Sequence, residues 1–270
     1  MACSYMRRLT DTISQKVNTM KHFSFALTAA LAILSCAFAQ QNTQTLSGTY
    51  VFSEEGSGVT QPMASVAILN FMTGGTVAGT RVWRSPGSSY KSSLQGTYSL
   101  NSDGAGALAL TATTIPTDGS DPVTVNVNYQ LLVSKTRNIN AIRTDNGFFT
   151  IAQLSPAATI GSLKGAFVFS EQGNGSPYAG LWLLNLDGTN GITGSLRVQT
   201  VGVNVACNLT GNYALASDGF GTLTLNIPAT DLDGNVSFTP ANYIFVAGMN
   251  QVFAIRTDAT TATISTLTAL

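Results

Sequence analysis

The charged residues best placed to do chemistry come in matched sets. Ala141-Ile-Arg-Thr-Asp145 returns as Ala254-Ile-Arg-Thr-Asp258, so an arginine and an aspartate two residues apart occur twice in one setting. On a strand such a pair shares a face. In Val252-Phe-Ala-Ile-Arg-Thr-Asp258 the bulky Phe253 and Ile255 take one face, which sends Arg256 and Asp258 to the other, and Arg143 and Asp145 follow suit. The expectation is an outward ion pair beside a hairpin, worth about 0 to 1 kcal/mol; the sharper alternative is an anion site. Two glutamates, Glu54 and Glu171, close the copies of another motif, Gly48-Thr-Tyr-Val-Phe-Ser-Glu54 and Gly165-Ala-Phe-Val-Phe-Ser-Glu171. Either could be half of a glycosidase-type carboxylate pair. The sequence sets no second carboxylate opposite, so a solvated strand end is expected. Arg81 and Arg197 recur only approximately.

Other chemistry is removed by composition. His22 is the sole histidine, and of three cysteines (Cys3, Cys36 and Cys207) only Cys207 lies beyond residue 39. Without imidazole there is no Ser-His-Asp or Cys-His catalysis and no histidine-bearing zinc site. No catalytic residue, metal site or cofactor is expected. A single cysteine permits no disulfide framework, and Cys207, in the strand-like run Asn204-Val-Ala-Cys207-Asn-Leu, reads as a small buried apolar side chain. Beyond residue 39 the chain carries 9 basic and 12 acidic residues, a net charge of −3. So weakly acidic a surface does not track phosphates, and nucleic acid is not an expected partner.

The N-terminal segment, residues 1–39, reads as targeting. Phe23 to Phe38 is apolar, follows Lys21 and His22, and closes on Ala37-Phe38-Ala39, a small-x-small site that signal peptidase can cleave before Gln40. Met20 is the more natural start of such a signal peptide. The protein is therefore expected to be secreted, extracellular or periplasmic. The alternative is a lipid anchor on Cys36, within the loose lipobox Ile33-Leu34-Ser35-Cys36.

What must position the paired charges is a tandem duplication. Gly96-Thr-Tyr-Ser-Leu-Asn-Ser-Asp-Gly-Ala-Gly-Ala-Leu108 returns as Gly211-Asn-Tyr-Ala-Leu-Ala-Ser-Asp-Gly-Phe-Gly-Thr-Leu223, and all the matches keep their order. Two units follow, 40–155 and 156–270, joined at Ser155-Pro-Ala-Ala-Thr-Ile-Gly-Ser162. Within them the period is two: Val123-Thr-Val-Asn-Val-Asn-Tyr-Gln-Leu131 is apolar at every odd position and polar at every even one. About eight strands per unit are predicted, in the first near 48–54, 63–72, 76–84, 90–100, 105–113, 122–134, 138–145 and 147–154. Asp-Gly and Asn-Gly joints make tight hairpins. The expected fold is all-β: two tandem antiparallel up-and-down barrels of about eight strands each. Paired sandwiches and one continuous barrel are the alternatives.

The Leu-x-Gly-Thr-Tyr opening with repeated Gly-x-Tyr and Asp-Gly-x-Gly hairpins resembles the small secreted meander barrels typified by avidins and lipocalin-like proteins. It also resembles uncharacterised bacterial secreted proteins built from such Asp-Gly-x-Gly segments. The resemblance implies a barrel interior that is either filled or holds one small ligand. Biotin binding is not carried over, because avidin-type sites need several tryptophans and this chain has Trp83 and Trp182, one per unit. Three functions stay open. A secreted or cell-surface non-catalytic module, structural or adhesive, would meet other surface proteins or polysaccharide and have a filled interior. A ligand-binding barrel would line a cavity with aromatics drawn from Tyr50, Phe52 and Trp83 or their counterparts Phe167, Phe169 and Trp182. A hydrolase using carboxylates alone would bring two of them together.

Two segments, 64–72 and 178–186, are apolar on both faces and so need a cover outside the barrel. They are expected at an interface, between the two units or between two chains as a homo-oligomer. An outer-membrane barrel is weighed against this; its strands would carry a lipid-facing apolar band around a polar interior.

Overall fold

Alternation of apolar and polar residues leaves each strand one face to bury, and consecutive strands joined by tight turns bury it by curling the sheet shut. The computed structural model of the chain describes residues 45–270, apart from 59, 60, 87, 117–119, 136, 159–162, 174–177, 201, 202, 231–235, 250 and 259–261. The expected signal peptide, Met20 and Cys36 lie outside the described residues. Every described element is a strand. The first eight are β1 (Gly48–Ser57), β2 (Pro62–Met72), β3 (Thr76–Ser85), β4 (Ser88–Leu100), β5 (Ala105–Thr114), β6 (Val123–Val133), β7 (Ile139–Arg143) and β8 (Phe149–Pro156). The second eight are β9 (Lys164–Gly173), β10 (Tyr178–Asp187), β11 (Gly191–Thr200), β12 (Val203–Leu215), β13 (Phe220–Thr230), β14 (Val236–Ala247), β15 (Gln251–Arg256) and β16 (Thr263–Ala269).

Each strand pairs antiparallel with the next, β8 returns to β1, and β16 returns to β9, so the chain forms two closed eight-stranded barrels. The sandwich and single-barrel alternatives are thereby set aside. Both interiors are largely apolar, packed in barrel 1 by Phe52, Leu69, Leu94, Leu110, Tyr129 and Leu154 among others and in barrel 2 by Phe169, Trp182, Leu184, Leu225, Tyr243 and Phe245. That is the inverse of the polar interior expected of an outer-membrane barrel.

The repeated Asp-Gly pairs do the same work twice. Asp103 and Asp218 each accept the backbone N–H two residues on, Ala105 at 3.0 Å and Phe220 at 3.2 Å. The glycine between, Gly104 or Gly219, sits at a φ of 87°, where a side chain is strained.

The outer face of β1–β3 is buried where the barrels meet. Val51, Ala64, Val66 and Val82 of barrel 1 form one apolar cluster with Phe220, Val246, Phe253, Ile255 and Ala262 of barrel 2. The backbone reinforces it: Ala158 N–H donates to Ala247 O and Met249 N–H to Pro156 O, both at 2.9 Å. Half of the interface expectation is met here, because β2 is covered by barrel 2. Its counterpart β10 keeps Leu181 and Leu183 exposed.

Barrel 2's second hairpin, between β10 and β11, hangs on one carboxylate. Asp187 Oδ1 accepts N–H groups from Thr189 at 2.7 Å and from Asn190 and Gly191 at 3.0 Å. These bonds, Thr189's foremost, lower its pKa from 3.8 to about 2. Because the folded value is depressed, the stabilisation is present above the unfolded value and fades as pH falls toward 2. Denaturant titrations of the wild type and Asp187→Ala should therefore differ most above pH 4 and converge near pH 2. A pH-independent gap would show that the carboxylate's charge is not what holds the turn.

Candidate ligand site

Inward positions at one end of barrel 1 break the apolar rule, and they do so together. Glu54 on β1 is fully buried, with Ser65 Oγ on β2 donating to Oε2 at 3.1 Å and Thr150 Oγ1 on β8 donating to Oε1 at 2.7 Å. Tyr129 on β6 also hydrogen-bonds this carboxylate. Burial first, and the Glu54 charge second, push that phenol well above its usual range, so it stays a donor. Two guanidinium groups flank the same carboxylate at longer range, Arg143 Nη1 at 3.7 Å and Arg81 Nη1 at 3.9 Å. Buried charge of this kind persists only when paired and hydrogen-bonded.

The two arginines are not equivalent. Arg143 Nε donates to Asp145 Oδ2 at 2.8 Å, and its guanidinium carbon lies 3.6 Å from the centroid of the Phe148 ring. Asp145 in turn accepts from the backbone and side-chain nitrogens of Asn128 at 3.0 and 2.9 Å. Arg81, equally buried, has no partner for its Nε among the described residues.

Above this layer the barrel is open. A cavity of about 520 Å³ has Arg81 and Arg143 in its lining, along with Met63, Trp83, Tyr90, Val125 and Phe148. Trp83 and Tyr90 stack with centroids 4.7 Å apart and planes 23° from parallel, giving the cavity a flat aromatic wall. Val123 and Val125 keep the inward phase of β6 yet are exposed, because they face the opening rather than a filled core.

Barrel 2 repeats the carboxylate and, among the described residues, sets apolar bulk beside it. Glu171 takes the place of Glu54, with Tyr243 Oη donating at 3.1 Å, Thr263 Oγ1 at 3.4 Å and Arg256 Nη1 at 4.0 Å. Strand register fixes the other equivalences. Phe52 lies opposite Ala67, which lies opposite Arg81; Phe169 lies opposite Trp182, which lies opposite Leu196. Where barrel 1 has alanine and arginine, barrel 2 has tryptophan and leucine. Trp182 is buried against Phe169 and Tyr243. Ser65 is matched by Gly180, where a Cβ would lie 2.5 Å from the indole Nε1, so the loss of that side chain is what admits the ring.

Several expectations are corrected. Arg143 and Arg256 point into the barrels, since Phe253 and Ile255 occupy the outer face against barrel 1; the shared face was read rightly and its side wrongly. Glu54 and Glu171 are buried, not solvated strand ends. Trp83 and Trp182 are not counterparts: they stand on β3 and β10, the third strand of one barrel and the second of the other. Of the six aromatics considered for a ligand, Trp83 lines the cavity, while Tyr50, Phe52, Phe167, Phe169 and Trp182 are buried core. Arg81, Arg143, Tyr90 and Phe148 were missed as lining residues. Aligning the repeats on Leu69-Asn70 and Leu184-Asn185 sets Ala67 against Trp182 and would have exposed the asymmetry. Cys207, half-buried at the register of Ser92, packs beside the barrel 2 core, and burial pushes its thiol up.

No protein-family model matches the sequence, and no curated protein does. Among solved structures the chain is similar to Aeromonas veronii immune modulator A, at 9% identity and a TM-score of 0.26, covering 88% of this chain and 99% of that one. It is also similar to kievitone hydratase from Nectria haematococca, at 6% identity and a TM-score of 0.23, covering 83% of this chain and 90% of the other.

The two carboxylates should differ in weight. Glu54→Ala removes the ion-pair partner of Arg81, leaves Arg143 with Asp145 alone, and should cost about 3 to 5 kcal/mol. Glu171→Ala affects one guanidinium, that of Arg256, more exposed and held by Asp258 at 2.9 Å; its cost should be nearer 1 to 3 kcal/mol. Equilibrium unfolding in urea measures both, and equal losses would contradict the asymmetry.

Proposed function

We propose that barrel 1 is a non-catalytic ligand-binding barrel of a secreted or cell-surface protein. Its ligand is a small amphipathic molecule with an acceptor head, a carboxylate in its strongest form, and a flat or branched apolar body. The observation that carries this reading is Arg81: a buried guanidinium at the edge of an apolar cavity, with a donor nothing in the described chain uses. Arginine offers five N–H donors in a fixed fork that suits a carboxylate. Glu54 is already engaged by Ser65, Thr150 and Tyr129, which leaves Arg81 donors to spend.

The body of the ligand follows from the wall. Trp83, Tyr90, Val125 and Met63 offer flat and branched apolar surface. A cavity of about 520 Å³ falls within the roughly 300 to 1,000 Å³ of small-molecule sites. Against hydrolysis stands the engagement of both nearby carboxylates, Glu54 by its hydroxyl donors and Asp145 by Arg143 and Asn128. Secretion rests on the apolar run Phe23 to Phe38.

The test uses dodecanoate and dodecanol as probes, with calorimetry and tryptophan fluorescence as readouts. Trp83 reports from the cavity wall while Trp182 stays buried in the other barrel. Dodecanoate should bind more tightly than dodecanol by about tenfold or more, the worth of one charged hydrogen bond. Arg81→Leu should erase the difference, and Ala67→Trp with Arg81→Leu and Ser65→Gly, which writes barrel 2's filling into barrel 1, should abolish binding of both. Binding that survives the triple variant would sink the proposal, as would no binding of either probe to the wild type.

A further inference from the structure

The contact between the barrels uses a different face of each, and the unused face of each is the counterpart of the one its neighbour uses. Barrel 1 contributes the outer side of β1–β3, with Val66 and Ile68 of β2 at its centre; barrel 2 contributes the outer side of β14–β16, with Val246, Ile255 and Ile264. In barrel 2 the register places Leu181 and Leu183 where barrel 1 has Val66 and Ile68, and they are 55% and 47% exposed. In barrel 1 it places Leu132, Ile142 and Ile151 where barrel 2 has Val246, Ile255 and Ile264. These three are 59%, 56% and 62% exposed. The chain therefore leaves two apolar faces free, one on each barrel, of the two kinds that already fit each other at the joint.

We infer that the free β9–β10 face of one chain docks on the free β6–β8 face of a second copy, repeating between chains the contact made within each. Such a contact is heterologous, so it propagates head to tail into rings or filaments rather than closing as a two-fold dimer. The occupant is a second copy because the complementary face is present on this same chain and its fit is already displayed between the barrels. The free faces are more polar than the buried joint: Arg197 stands in the place of Val82, Asn140 in that of Phe253 and Gln130 in that of Ile244. Association between chains is accordingly weaker than the joint and reversible. The inference does not depend on the ligand reading, since these side chains point away from the barrel interiors.

Sedimentation velocity of the full chain over a wide concentration range tests it. The wild type should grow from monomer to a series of larger species. Leu183→Asp and Ile142→Asp each spoil one face, so each alone should remain monomeric, while their mixture should form a one-to-one heterodimer that grows no further. A monomeric wild type at every concentration would overturn the inference. So would self-association of either variant alone, which would mean a two-fold contact, or a mixture that stays monomeric. Circular dichroism guards against misfolding, and Leu183→Thr and Ile142→Thr, which keep strand propensity, replace any variant that fails to fold.

Discussion

An eight-stranded barrel encloses a space that side chains can just fill, and every feature of this protein depends on how each of its two barrels meets that demand. Barrel 2 meets it with a tryptophan laid across the interior, which a glycine on the same strand makes room for. Barrel 1 puts alanine at that register, arginine beside it, and leaves the upper part of the interior open. Duplication supplied two copies of one solution; among the described residues, inward substitutions put tryptophan and leucine in one copy where the other has alanine and arginine beside a cavity.

The buried carboxylate is the feature common to both interiors, and it explains where the polar residues went. A glutamate inside an apolar barrel would be intolerable alone. Here hydroxyls from neighbouring strands and a guanidinium from β7 or β15 reach it from across the barrel, tying the first strand to the last few. In barrel 1 this polar layer is also the floor of the cavity, so the group that satisfies Glu54 and the group offered to a ligand belong to one network. A change to either is felt by both.

Much of the fold was legible because alternation and turn chemistry are local. Val123 to Leu131 announces a strand with one wet face, and the Asp-Gly pairs announce where strands reverse. The candidate site was not legible, because its logic is inverted relative to local cues. Arg143 follows Ile142 and precedes a hairpin, which reads as surface; only closure of the sheet decides which side is inside. Isoleucine at 142 then lies outside and arginine inside, held there by Glu54, some ninety residues earlier in sequence. Glu54 was likewise read as a strand end because its donors come from β2, β6 and β8, strands no spacing rule connects to it. The tryptophans misled by number: one per unit suggested equivalence, whereas strand register sets them on different strands.

The joint between the barrels has a temporal side. Barrel 1 contributes its earliest strands, β1 to β3, and the surface that covers them belongs to β13 to β16, the latest. Domains fold as they are synthesised, the N-terminal one first. Barrel 1 can therefore close on itself while Val51, Ala64 and Val66 still lack their cover, and that apolar stripe stays bare until nearly the whole chain has been made. An apolar surface that the finished protein hides is thus exposed while the chain is being made.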